Sequence, residues 1–269
     1  MTNELTKWNP GDFAGTDLLP SAMSDAEFAP AGPEDIPIVG NESVAPEDIK
    51  PPTLACLQSK SPAVEEGLTD EDGNRCQPGQ FILTSTSEIF NSPLRSLLVH
   101  HSKMNRLVVD PTKAEFEGLE NCTARDGLTG SVYGSCEECR KCLDWVDDKK
   151  PLGAKMHVFL LLTPHGPVFV RFKRTSYKHG DKFITAWQTA PVKKNLWAHP
   201  VILRTKKVPG TDPMGKPTSW FEVEMAWDRK ERTPDEWQRR AYQVWEMAEQ
   251  AAKEGRLATE HGDDDILEA

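Results

Sequence analysis

Residues 156–173 read MHVFLLLTPHGPVFVRFK, and this stretch gives the clearest indication of the fold. Two runs rich in Val, Phe and Leu flank the segment Thr-Pro-His-Gly-Pro at residues 163–167. Aromatic and β-branched residues favour strands, whereas Pro and Gly favour turns. The stretch therefore predicts a β-hairpin with a short turn.

Further strand-forming runs lie on both sides of this hairpin. Residues 80–90 and 97–109 precede it, and the second run is long enough to need a bulge or a bend. Residues 200–208 and 219–227 predict a second strand pair, joined by a loop at 209–217. Together these runs predict a mainly β (α+β) fold, which we interpret as an OB-like barrel.

Two segments predict helices. Residues 176–188 place Phe183, Ile184 and Trp187 at helical spacing, with Thr175 or Ser176 as the N-cap, although Gly180 weakens the pattern. Residues 233–257 carry an apolar stripe that follows a Thr cap and Pro at the first helical position. We expect this C-terminal helix to pack on the sheet; a partner-binding or coiled-coil helix is the alternative.

The composition sets the domain boundaries. The chain has 269 residues, a net charge of −10 and 38% hydrophobic residues. Residues 1–50 are acidic and lack periodicity, which predicts a disordered arm; residues 51–258 form one domain, and 259–269 form an acidic tail. The acidic run at residues 70–74 predicts a turn. No apolar run reaches 18 residues and the N-terminus has no signal sequence, so we expect a cytoplasmic protein that does not enter a membrane.

The positive charge is concentrated in one block. Residues 151–210 contain eleven Lys or Arg and one acid, Asp181, although the whole chain is acidic. Basic and aromatic residues together are typical of surfaces that bind single-stranded nucleic acid, because cations contact phosphates and rings stack on bases. A solvated β-face that keeps the protein soluble is the alternative. The candidate nucleic-acid-binding residues are Phe169, Arg171, Lys173, Arg174, Tyr177, Lys178, Lys182, Lys193, Lys194 and Trp197.

Alternation along residues 168–173 divides this strand into two faces. Val168, Val170 and Phe172 are expected to face the core. Phe169, Arg171 and Lys173 would then present a ring and two cations to solvent.

The cysteines indicate a metal site in an insertion at about residues 121–145. Cys136, Cys139 and Cys142 follow one another at a spacing of three, and Cys122 lies fourteen residues before Cys136. Four thiolates at such spacing are typical of a structural zinc knuckle with no position left for water. His100, His101 or His157 could replace Cys122 as the fourth ligand, and an iron–sulfur cluster or unligated thiols are further alternatives.

The acidic C-terminal tail complements the basic block in charge. The tail residues Asp263, Asp264 and Asp265 would compete with phosphates for the basic groove. Ile266 and Leu267 would then be available to partner proteins. A tail that only aids solubility is the alternative.

Three features of the chain resemble bacteriophage single-stranded DNA-binding proteins. These are the strand-rich body from about residue 80 to 227, Phe-Lys-Arg-Thr-Ser at 172–176, and Asp-Asp-Asp-Ile at 263–266. The cysteine insertion is similar to that of zinc-containing phage members of this class. The resemblance implies an OB-fold core and a protein that coats and protects single-stranded DNA in the host cytoplasm during phage replication and recombination, with replication or recombination proteins as tail partners. The tail differs from the usual pattern, which ends in an aromatic residue, because Leu267-Glu268-Ala269 follows here.

No motif of an enzyme is present. The sequence lacks Gly-x-Ser-x-Gly, a Walker A loop and His-Glu-x-x-His, so we do not expect catalysis. His100 and His101 are adjacent on a predicted strand, so their rings should face opposite ways. The alternative function is a phage regulatory adaptor acting through protein contacts, such as a recombination directionality factor or a modulator of RNA polymerase.

Overall fold

The structure is a computed structural model and describes residues 52–69, 73, 75–142, 151–190, 194–211 and 215–253. The predictions for residues 1–50 and 259–269 lie outside this part of the chain, as does most of the predicted turn at 70–74. An antiparallel bridge joins Thr69 and Arg75 on either side of that turn.

The protein is mainly β, with a curled half-barrel sheet and a C-terminal helix. The described strands are β1 (Thr53–Cys56), β2 (Phe81–Leu83), β3 (Ile89–Phe90), β4 (Leu94–Leu107), β5 (Cys122–Ala124), β6 (Thr129–Gly130), β7 (Gly134–Ser135), β8 (Ala154–Thr163), β9 (Gly166–Lys173), β10 (Val201–Thr211) and β11 (Pro217–Trp227). The described helices are α1 (Pro62–Glu65), α2 (Cys136–Cys139), α3 (Tyr177–Gln188) and α4 (Asp235–Lys253). Short 3₁₀ turns occur at Ala114–Phe116 and Arg174–Ser176.

The large sheet has the order β11-β10-β4-β8-β9-β1-β2-β3, with β5 paired to β4. The predicted hairpin is confirmed: β8 and β9 are antiparallel, and Thr163 pairs with Gly166 across the turn. The predicted bulge is also confirmed, between Leu98 and His100 in β4. β10 and β11 form the second predicted pair, while β1 and β9 are parallel.

Both faces of the sheet are buried. One core contains Phe159 and Phe172 from the central hairpin together with Phe183 from α3. A second core on the opposite face contains Phe169 from the hairpin and Trp237 from α4. Successive side chains of a strand point to opposite faces, so the hairpin contributes to both cores. The prediction that the C-terminal helix packs on the sheet is confirmed.

The helix starts differ from the predicted caps. Ser176 precedes α3, but its hydroxyl accepts a hydrogen bond from the Val223 backbone N–H of β11 at 2.9 Å and makes no cap bond. The Thr233 hydroxyl is buried without a hydrogen-bond partner in the described part of the chain, so the cap predicted for α4 is wrong. Gly180 lies within α3 because the helix crosses His157 closely: a Cβ at Gly180 would come within 2.6 Å of that ring.

The sheet curls until β11, at one end of the sheet, reaches Gln58, which follows β1 near the other end. The Gln58 side-chain oxygen accepts a hydrogen bond from the Phe221 N–H at 2.8 Å, and its amide nitrogen donates to the Phe221 carbonyl at 3.0 Å. Nearby, the Thr205 hydroxyl of β10 donates to the Gly79 carbonyl at 2.6 Å. One side-chain amide thus satisfies a backbone donor and acceptor on β11, as a neighbouring strand would.

This contact makes Gln58 a stability determinant. We expect Gln58→Met to lower the free energy of unfolding by about 1–3 kcal/mol, because two backbone groups of Phe221 lose their partner. Chemical denaturation measures the change. The matched control is Gln77→Met at an exposed position, which should stay within about 0.5 kcal/mol of the parent. Equal stability of the two variants would show that Gln58 does not hold the sheet ends together.

Candidate nucleic-acid interface

A slot opens where β1 and β9 separate. The two strands pair only at Thr53 with Phe169 and at Leu54 with Val170 within the described sheet. Beyond this point they diverge, and β11 lies across the opening. The resulting pocket has a volume of about 260 Å³. Its lining includes Cys56 and Gln58 from the β1 side, Lys173 and Arg174 from the end of β9 and the turn after it, and Trp220 and Phe221 from β11.

Two of the predicted stacking residues belong to the core. Phe169 is 2% exposed and Trp197 is 7% exposed, and both pack beneath α4. The prediction that β9 presents Phe169 and Arg171 to solvent is therefore wrong, since Arg171 is only 8% exposed. The side chains of β9 alternate between the two faces of the sheet as predicted, but α4 covers the face that was expected to be exposed to solvent.

Two further candidates have partners within the protein. Tyr177 packs on His157 with ring centroids 4.5 Å apart, and burial raises the pKa of its phenol, with a further contribution from Asp181. Lys178 forms an ion pair with Glu222 at 2.9 Å. The Tyr177 ring is therefore occupied within the protein, whereas the Lys178 side chain remains 56% exposed beside its partner Glu222.

The other candidates lie at the surface. Arg174, Lys182 and Lys194 are exposed, and Lys173 is partly buried at the slot. Lys193 lies outside the described residues. Arg174 has a backbone φ of 51°, in the left-handed region that side chains rarely adopt. This conformation turns the chain from β9 into α3 and leaves the Arg174 side chain at the slot.

Two acids on β11 offset part of the positive charge. The buried Glu222 carboxylate accepts hydrogen bonds from His179 and Lys178; burial acts to raise its pKa, but these hydrogen bonds hold the pKa below its ordinary value. Glu224 accepts a hydrogen bond from Arg204 at 2.8 Å. Both acids lie outside residues 151–210, so they are not part of the charge of the basic block. In the sequence these acids form a Glu-x-Glu pattern, which would have predicted the pairing, because the antiparallel register places it opposite an Arg-x-Lys pattern on β10.

A chain of hydrogen-bonded side chains runs beneath α3. His101 Nε2 lies 2.8 Å from His157 Nδ1, and His157 Nε2 lies 3.0 Å from an oxygen of Asp181. Burial and the neighbouring His157 lower the pKa of His101 to about 3. Burial also lowers the pKa of His157, although Asp181 acts in the opposite direction. His100 instead pairs with Glu249 on α4, which confirms that the adjacent rings face opposite ways.

The histidine chain predicts a loss of stability in acid. Because the folded-state pKa of His101 and of His157 is depressed, the unfolded chain binds protons more readily, and stability falls as pH drops below about 6.5. His101→Gln keeps a donor for His157 but removes one titrating group. We expect its melting temperature to fall less steeply between pH 6.5 and about 4 than that of the parent.

The surroundings of His101 set the control for this measurement. His157, His100, Lys103 and Asp181 are the charged or titratable neighbours that act on the chain. His165 is partly exposed and pairs with Glu88 at 3.6 Å at the hairpin turn. His165→Gln should keep the parent's pH dependence, and an identical slope for all three proteins would contradict the role of the buried chain.

The four cysteines of the insertion lie near one another. Burial, together with the charges of Cys139, Cys136 and Cys122, raises the pKa of Cys142 to about 12. Ser135 begins the α2 turn, and its hydroxyl accepts a hydrogen bond from the Glu138 N–H at 3.4 Å. In the described residues, no group of three or more His, Cys, Asp or Glu is arranged as a formed metal site. The chemistry of the set still suits a metal, because soft thiolates are preferred zinc ligands.

The comparisons add no relative. No protein-family model, no curated protein and no solved structure matches this chain. In the part of the chain that the structure describes, no helix has both the length and the apolar character needed to cross a membrane.

Proposed function

We propose that this protein binds single-stranded DNA without sequence preference and coats it during phage replication and recombination. The observation that carries the proposal is a group of three exposed cations: Arg174 lies at the slot in the turn before α3, and Lys178 and Lys182 lie four residues apart within α3. Side chains four apart lie on one face of a helix. A single strand can follow such a group of cations by its phosphates.

The slot favours a single strand over a duplex. Its volume of about 260 Å³ is below the ~300–1,000 Å³ of pockets for drug-sized ligands. A duplex keeps its bases stacked inside the helix, whereas a single strand can offer one base at a time. Within this proposal, the curled sheet is an OB-like barrel. The protein works in the host cytoplasm and has no catalytic role. The tail at 263–267 competes with DNA and contacts replication or recombination proteins.

Salt-dependent binding tests this function. We expect full-length protein to bind labelled oligo-dT more tightly than a duplex of equal length, with affinity falling steeply as salt rises. Fluorescence anisotropy measures both effects. Arg174→Gly removes one cation at a φ that glycine adopts readily, so we expect the salt slope to fall by about one.

The matched control is Lys113→Gln, which removes a surface cation that pairs locally with Asp110. This variant should keep the parent's slope. Removal of residues 260–269 should tighten binding if the tail competes with phosphates. Absence of oligo-dT binding at low salt would defeat the proposed function.

We also propose that Cys122, Cys136, Cys139 and Cys142 hold a structural zinc ion. The mutual influence of their thiols and the involvement of His100, His101 and His157 in other contacts support the all-cysteine set over a histidine ligand. Such an ion would fix the α2 turn and the strands beside it, and four thiolates leave no site for a reactive water.

Metal analysis tests the zinc proposal. We expect about one zinc per chain in the purified protein and loss of that zinc in Cys139→Ser. Cys76→Ala removes a buried thiol outside the insertion and should retain the metal. A metal-free, folded protein whose four insertion thiols all react with a thiol reagent would contradict the proposal.

The adaptor remains a second candidate because apolar side chains are exposed away from the slot. Leu128 and Met247 are each 70% exposed, on the cysteine insertion and on α4 respectively. Exposed apolar side chains of this size suit protein contacts. An adaptor, such as a recombination directionality factor or an RNA polymerase modulator, would bind bare oligonucleotides poorly.

A further inference from the structure

The slot combines an apolar floor with charged and aromatic walls. Leu54, Val170 and Val223 supply apolar surface. Lys173 and Arg174 line the opening where β9 ends, and Trp220 and Phe221 line it from β11. A flat ligand with a negatively charged edge matches this arrangement, because its ring can contact the aromatic side while its anion meets the cations.

Trp220 is held in place before any ligand arrives. Its ring lies across Gly210 of β10, where a Cβ would collide with it. Its indole N–H lies 3.4 Å from an oxygen of Glu222, which is itself held by Lys178 and His179. A restrained ring loses little conformational entropy on binding, so its contact contributes more to affinity.

The β11 side of the slot is also held in place by the contact that closes the sheet. The Gln58 amide spans from the end of β1 to the Phe221 backbone, and the Ser176 hydroxyl accepts from Val223 two residues further along β11. These contacts use edge groups of β11 at Phe221 and Val223. A ligand in the slot therefore meets side chains and ring faces, and need not add a strand to the sheet.

We propose that the slot receives one unstacked base of a bound single strand, with Trp220 as its stacking platform and Lys173 and Arg174 on the flanking phosphates. This inference rests on the proposed function and assigns the position at which a base is held. Trp220 lies in a part of the sequence that composition did not single out, since it follows the basic block.

Photochemical cross-linking tests the assignment on the full-length protein. An oligo-dT with one central 5-iododeoxyuridine is bound, irradiated and digested, and the attached peptide is sequenced by mass spectrometry. We expect the cross-link at Trp220 or Phe221 within residues 217–229. Binding with cross-links only outside the slot overturns this inference and leaves the proposed function intact. Absence of binding defeats the proposed function and the slot assignment together.

Substitution of Trp220 gives the second measurement. We expect Trp220→Leu to weaken oligo-dT binding by about 5- to 100-fold, the usual effect of losing one base–aromatic stack. The salt slope should not change, because stacking releases no counterions. Trp220→Phe should restore most of the affinity, which a merely structural role for the indole would not predict.

The control is Tyr242→Leu, at an exposed aromatic residue on α4. It should bind as the parent does. A folded Trp220→Leu with the parent's affinity overturns the inference, and the cross-link on the unmodified protein decides the matter if Trp220→Leu does not fold.

Discussion

The curled sheet depends on the contact between Gln58 and Phe221. Strands β1 and β9 pair over two residues and then separate, which leaves an opening beside β11. The Gln58 amide bridges the gap with one accepted and one donated hydrogen bond, at 2.8 and 3.0 Å. Because this bridge is a side chain and not a strand, the wall stays open beside it. The same contact therefore holds the sheet ends together and leaves the slot.

Burial on both faces explains how the charged residues are distributed. Because α3 covers one face of the sheet and α4 covers the other, the central hairpin exposes little surface. The accessible cations lie at Lys173, where β9 ends, and at Arg174 in the turn that follows. Charges that remain near the core have partners: Asp181 joins the histidine chain, and Glu222 accepts from Lys178 and His179. Buried charges need such partners because unpaired burial is costly.

Much of the fold could be predicted from short-range patterns. The turn at residues 163–167 predicted β8 and β9, the length of the run at 97–109 predicted the bulge in β4, and the apolar stripe at 233–257 predicted a helix on the sheet. Among the site residues, Arg174 and Lys182 were predicted as cations and are exposed. Phe169 and Trp197 were assigned to the wrong role, because periodicity shows that a strand has two faces but does not show what covers each face.

Short-range patterns were sufficient to predict the longer strands, the two long helices and the concentration of basic residues, because these follow from neighbouring residues. Only the three-dimensional fold shows that Trp220 and Phe221 line the same slot as Lys173 and Arg174, and that Glu222 and Glu224 offset the basic block. It also decided that His101, His157 and Asp181 form one chain. These pairs are separated by tens of residues, and their contacts depend on the curl of the sheet, which no local pattern encodes.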